Sequence, residues 1–347
     1  MITRRDLLLS IPALMAVRSL KGAEVAYKRF DTHTHIHNYF PEMIDDLERA
    51  NFKCLSICDS REIGEEKSTL PEMTEGTIAA VKQSRGRLAW GTTFDPRHFE
   101  EKGFTSRAVA RVKEHFGQGA IAVKIWKNIG MEVRSKKGAY LLPDHPTLLP
   151  IYETIQREGK TLISHLADLN AAWMDPAGKP VGGQYYAQHP EWLMFGKAGA
   201  PSKEAILNAR DRVMAKYPKL RVVGCHIGSN EQDLDLVAKR LDTYPNFAVD
   251  LASRIGYLTP DSERAKAREF LIKYQDRIIY GTDFNMVAGA KAPELPGIHE
   301  REWKTLASDE VVSGKKGAST RGLGLPDNVL KKIFHDNAAR WIQGIES

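Results

Sequence analysis

The chain of 347 residues holds only three cysteines, no apolar run of membrane-spanning length and no block of like charge. Each absence excludes something. Cys54 and Cys58 lie four apart in a strand-like run, roughly 13 Å at about 3.3 Å per residue, too far to bridge. Cys225 sits inside another apolar run, so all three read as core thiols and no disulfide framework is expected. No stretch after the N-terminus approaches the about 18 apolar residues of a membrane span, so the mature chain is expected to be soluble. Glycine (27) and proline (17) are too few for a low-complexity chain. Lys and Arg outnumber Asp and Glu by 50 to 44, and the excess falls from +6 to +4 without residues 1–26. A mild, dispersed excess argues against nucleic acid and fits an anionic small substrate. No Gly-x-Gly-x-x-Gly follows the first strand-like run, so the dinucleotide-binding fold lacks its fingerprint.

The first segment reads as an address. Thr3-Arg4-Arg5-Asp6-Leu7-Leu8 is a twin-arginine pattern, followed by the apolar run 7–17. That run is too short to span a bilayer and is flanked as a signal peptide is. Residues 1–26 are therefore expected to be a twin-arginine (Tat) signal peptide, with the mature protein periplasmic or extracytoplasmic and free of any membrane anchor. A chain folded in the cytoplasm before export has no need of disulfides, in keeping with its cysteines.

From residue 27 onward, short β-rich runs alternate with helical patterns. The runs are 29–35, 53–59, 88–95, 120–126, 161–167, 221–228, 246–252 and 277–284. Helical patterns lie at 42–50, 73–84, 106–115, 146–158, 202–216, 231–242 and 263–274, with a closing one at 327–343. Eight alternations at this length predict one α/β domain, a single (β/α)8 TIM barrel over residues 27–347. Two connections are long, 168–201 after strand five and 285–326 after strand eight. Loops of that length serve as lids, as mobile segments or as subunit contacts in a homo-oligomer.

The chemistry gathers at the strand ends, which a barrel brings to one mouth. Strand one reads Phe30-Asp31-Thr32-His33-Thr34-His35, with both imidazoles on one side of the strand. Spacing alone leaves the register His35/His37 open as well. Strand five ends in His165, strand six in His226 and strand eight in Asp283, while strand four carries Lys124. Two imidazoles on one side of a strand are a natural pair of metal ligands, and three strands ending in His and one in Asp are hard to explain by packing, because buried charged groups need partners. Around them, Lys127 follows strand four and Arg254 follows strand seven, where either would bind an anionic substrate group. Trp126 offers an apolar wall.

This order of residues resembles the amidohydrolase superfamily of metal-dependent barrels. Phe-Asp-Thr-His-Thr-His, Cys-His-Ile-Gly-Ser, Tyr-Gly-Thr-Asp-Phe and Asp336-Asn337-Ala338-Ala339-Arg340 are similar to its amidohydrolase-related branch, over about residues 29–343. That branch includes aminocarboxymuconate semialdehyde decarboxylase and pyrone dicarboxylate lactonase. The resemblance implies that His33, His35, His165 and Asp283 bind one divalent metal, most often zinc. It implies that His226 is the acid/base beside the metal, and that Asp283 doubles as a base. Lys124 would bridge two metals only if carboxylated. Two enzymatic readings share these residues. One is a metal-dependent hydrolase opening an ester, lactone or amide of a small, carboxylated substrate; the other is a non-oxidative decarboxylase. The leader favours hydrolysis. A non-catalytic metal- or solute-binding barrel is the remaining reading, and it would more readily have lost His226 or Asp283.

Overall fold

The computed structural model describes residues 25–61, 68–286, 295–313 and 319–347. The expected leader therefore lies outside the described residues, Val25 and Ala26 apart. Strands β1 (Arg29–His35), β2 (Phe52–Ile57), β3 (Leu88–Thr93), β4 (Ala122–Ile125), β5 (Thr161–Ser164), β6 (Arg221–Gly224), β7 (Phe247–Asp250) and β8 (Ile278–Ile279) pair in parallel, each with the next. A ninth short strand, β9 (Phe284–Asn285), pairs with β1 in parallel. Closure continues between them: the Thr32 amide donates to the Tyr280 carbonyl at 3.1 Å, and the Asp283 amide to the His33 carbonyl at 2.7 Å. The expected TIM barrel is the observed fold.

Strand eight departs furthest from expectation. The eighth run is split, with Ile278–Ile279 against β7 and Phe284–Asn285 against β1. The break passes the first strand closely. A Cβ on Gly281 would meet the His33 Cβ at 2.9 Å, nearer than real Cβ atoms come, so only glycine passes there. Strand six is also shorter than expected, ending at Gly224 because the next residues turn left-handed.

Strands buried on both faces explain the near-continuous apolar runs of the sequence. Inside the barrel, residues such as Phe30, Leu55, Ile163, Val223 and Ile279 form one cluster, plugged by Trp341, Ile342 and Ile345 of the C-terminal segment. Outside, a larger cluster joins the sheet to its helices. Helix Pro41–Arg49 shows how: proline sits in its first turn, and Met43, Ile44 and Leu47 give it one buried face. The closing helical pattern is interrupted by a π turn at Lys332–Asp336. All three cysteines are free and buried.

The two long connections carry more structure than expected. Residues 168–201 contain the helix Gly183–Gln188 and three 3₁₀ turns. Residues 285–326 contain the 13-residue helix Leu295–Ala307 and an antiparallel pair, Val311–Ser313 with Ser319–Arg321. No described helix is long and apolar enough to cross a membrane.

Candidate metal centre and active site

His33 and His35 leave the same side of β1 and meet Asp283. His33 Nε2 and His35 Nε2 each lie 3.4 Å from Asp283 Oδ1. One candidate ligand atom from each of the three residues lies within 4.8 Å of the others. His33 and His35 are buried, whereas the Asp283 side chain keeps 31% of its exposure and faces the mouth. Asp283 holds its place through a left-handed backbone with φ of 62°, uncommon outside glycine and typical of functional sites.

The outer nitrogens fix the inner ones. His35 Nδ1 lies 2.9 Å from the Ile57 carbonyl, which can only accept, so Nδ1 carries the hydrogen. The Nε2 lone pair of His35 then faces a carboxylate oxygen. Two acceptors so close are unfavourable unless a proton or cation lies between them. His33 Nδ1 lies 2.9 Å from Asp250 Oδ2 in the same manner. His165 brings a further ring nitrogen: its Nε2 is shielded from water and has no hydrogen-bond partner among the described residues. The His165 ring sits outside the three-residue cluster, with its centroid 4.3 Å from that of His226. These donors fit a divalent cation of the zinc type.

His226 opens an unusual turn. Residues 226–229 all have positive φ, between 57° and 64°. Such a backbone costs roughly 1–2 kcal/mol for each residue with a side chain. Asp250 offsets part of this by accepting the His226 amide at 2.7 Å. A side chain on Gly224, at the start of the turn, would strike the Phe247 ring at 2.7 Å. The His226 ring donates from Nδ1 to the Ala252 carbonyl at 2.8 Å, which leaves its Nε2 lone pair without a hydrogen-bond partner among the described residues. The His33 and His226 centroids are 5.1 Å apart.

His37, the other member of the alternative register, turns away and pairs with the Thr77 hydroxyl at 2.8 Å. Lys124 is buried inside the barrel, 3.2 Å from His33 Nε2 and 3.1 Å from Cys225 Sγ. Lys127 is held by Asp168 at 2.5 Å and lies over the Tyr185 and Trp192 rings. Trp126 packs edge-on against Trp192, with centroids 4.9 Å apart. Arg254 stands 3.9 Å from Asp168 and 3.8 Å from Glu231, distances at which it is only loosely held.

The family model described as amidohydrolase matches residues 31–343 of the chain. The chain belongs to the amidohydrolase family. No curated protein matches it in sequence. Among solved structures, this amidohydrolase is similar to an uncharacterized TIM-barrel protein from Bordetella bronchiseptica, at 15% identity and a TM-score of 0.56, covering 92% of this chain and 100% of that one. It is similar to a probable 2-pyrone-4,6-dicarboxylic acid hydrolase from Acinetobacter baumannii, at 12% identity and a TM-score of 0.52, covering 91% and 99%. It is also similar to a 2,6-dihydroxybenzoate decarboxylase from Rhizobium, at 11% identity and a TM-score of 0.53, covering 91% and 98%. At these identities the likeness is one of fold.

Electrostatics set the charge states of the amidohydrolase's central groups. Burial and Lys124 oppose charge on His33, but Cys225 and Asp250 raise its pKa to about 10. A proton and a divalent cation thus compete for His33 Nε2. Burial, reinforced by Arg254, lowers His226 to about 3, so its ring is neutral near pH 7. Desolvation at the bottom of the mouth opposes the charge of part-exposed Asp283, yet His35, His226 and His33 hold it well below the usual carboxylate range.

Asp250 was not foreseen from the sequence. It accepts from His33, from the His226 amide and from the Ala252 amide, and so orients two site histidines at once. A carboxylate behind a ligating imidazole fixes its tautomer and typically contributes 10–100-fold to metal affinity or activity. Asp250→Asn should therefore weaken divalent-metal affinity by about 10–100-fold, read by competition with a chelator. Unchanged affinity would make Asp250 a purely structural residue.

Proposed function

We propose that this amidohydrolase is a metal-dependent hydrolase that uses water to cleave an ester, lactone or amide bond of a small, carboxylated substrate. The observation that carries this reading is the convergence of the His33 and His35 nitrogens on Asp283 Oδ1, the one member of the trio open to the mouth. His33, His35, His165 and Asp283 would hold one divalent ion, with zinc the first choice for an imidazole-rich set. When bound, such an ion polarises a carbonyl and lowers the pKa of water.

The chain's own groups then divide the proton work. Asp283, ionised and part-exposed, takes a proton from the attacking water. His226 is neutral, with Nδ1–H committed to the Ala252 carbonyl, so its Nε2 takes the water's proton from Asp283 and passes it to the leaving group. Lys124 stays an amine in this reading, supported by its contacts with His33 and Cys225; carboxylated, it would instead bridge two metals. Lys127 and Arg254 supply positive potential at the mouth, and Trp126 an apolar wall.

Incubating the metal-loaded protein with lactones, esters, amides and aromatic acids, while following acid and CO₂ separately, tests the reading. Acid release supports it. CO₂ without acid would reassign the chemistry to non-oxidative decarboxylation, with His226 or Asp283 protonating carbon. Metal binding without either product would point to a binding barrel.

Twin-arginine export is part of the same proposal. It rests on Thr3-Arg4-Arg5-Asp6-Leu7-Leu8 and the apolar run behind it. Arg4→Lys/Arg5→Lys should keep the protein in the cytoplasm on cell fractionation. Unchanged export would remove the leader from the account.

A further inference from the structure

A cavity of about 450 Å³ opens beside the candidate centre, and Asp283 lines it. Its outer walls come from the segment after strand eight, namely helix Leu295–Ala307 and the strand pair beyond it. Ile255, Phe284, Ile298 and Val312 give it apolar surface. Arg301 lines the same cavity.

Arg301 differs from the other cations near the mouth. Lys127 is committed to Asp168 at 2.5 Å and Arg61 to Asp59 at 2.7 Å, while Arg254, though loosely held, has the carboxylates of Asp168 and Glu231 within 4 Å. Arg301 is half-buried, and its guanidinium has no hydrogen-bond or ion-pair partner among the described residues. Its acidic neighbour in the cavity, Glu302, is engaged by the Tyr280 hydroxyl at 2.8 Å. A half-buried guanidinium is poorly hydrated, and its fork matches a carboxylate. The apolar surface beside it suits a carbon skeleton.

We infer that Arg301 is the specificity-determining residue that binds the substrate's carboxylate, with the skeleton in this cavity and the scissile bond at Asp283. The inference rests on the proposed hydrolytic site and adds the residue that selects a carboxylated aromatic or aliphatic substrate. Phthalate, an aromatic dicarboxylate, and its neutral dimethyl ester serve as probes.

Calorimetric titration of the metal-loaded full-length protein should show phthalate binding and dimethyl phthalate binding at least about ten-fold more weakly. Arg301→Gln should weaken phthalate by about ten-fold or more while leaving metal content and the ester's affinity near wild type. Arg301→Lys should fall between the two. Equal affinity of Arg301→Gln and wild type for phthalate overturns the inference, as does failure of the wild type to bind phthalate. An Arg301→Gln protein that loses its metal or its ester binding also overturns it, because the residue is then structural. Binding is read without turnover, so failure of the hydrolytic reading is seen separately, in the acid and CO₂ measurement.

Discussion

His33→Ala/His35→Ala should abolish turnover, by about 10³-fold or more, while the barrel stays folded. The magnitude follows from a bound metal contributing several kcal/mol to charge stabilisation, at about 1.4 kcal/mol per factor of ten. Both side chains are buried and each carries a polar partner, Asp250 for His33 and the Ile57 carbonyl for His35. Truncation therefore leaves Asp250 Oδ2 and the Ile57 carbonyl each short of a partner, and some loss of stability accompanies the loss of activity. Circular dichroism and thermal melting separate the two. A folded variant with turnover within ten-fold of wild type would show that the β1 histidines are not part of the chemistry.

His226→Asn should lower turnover by about 10²–10⁴-fold, the usual contribution of a general acid or base, with metal content near wild type. Asparagine can still donate to the Ala252 carbonyl, the partner of His226 Nδ1. It tolerates the left-handed φ of 58° better than most side chains. The substitution thus removes proton transfer while preserving the turn. Loss of the metal would instead make His226 a ligand. Full activity with full metal would leave the proton work to Asp283.

Much of this was legible in the sequence, for physical reasons. Histidine and aspartate are rarely placed at the ends of apolar strands by packing alone, and a parallel barrel sends all those ends to one mouth. His33, His35 and Asp283 were readable on that basis, as was the fold. What stayed hidden depended on three-dimensional pairing. Asp250 closes the strand Phe247–Asp250 and carries no motif of its own in the sequence, yet it supports two histidines. The break in strand eight follows from the approach of Gly281 to His33, a contact across 248 residues of chain. His165 ends its strand as expected, but its ring rests on His226 rather than within the trio. Arg301 lies in the long connection 285–326, where the sequence offers no sign of the helix and cavity that the fold gives it. The leader was readable as a pattern and lies outside the described residues.

Metal stoichiometry tests the central claim most directly. Protein purified without chelator, analysed by inductively coupled plasma mass spectrometry, should carry one equivalent of a divalent metal per chain. His165→Ala and Asp283→Ala, each folded by circular dichroism, should carry less than a tenth of that under the same conditions. A wild type with no divalent metal would contradict the account, and so would a full equivalent retained in both variants. Two equivalents would contradict the single-ion site and assign Lys124 a carboxylated, bridging role.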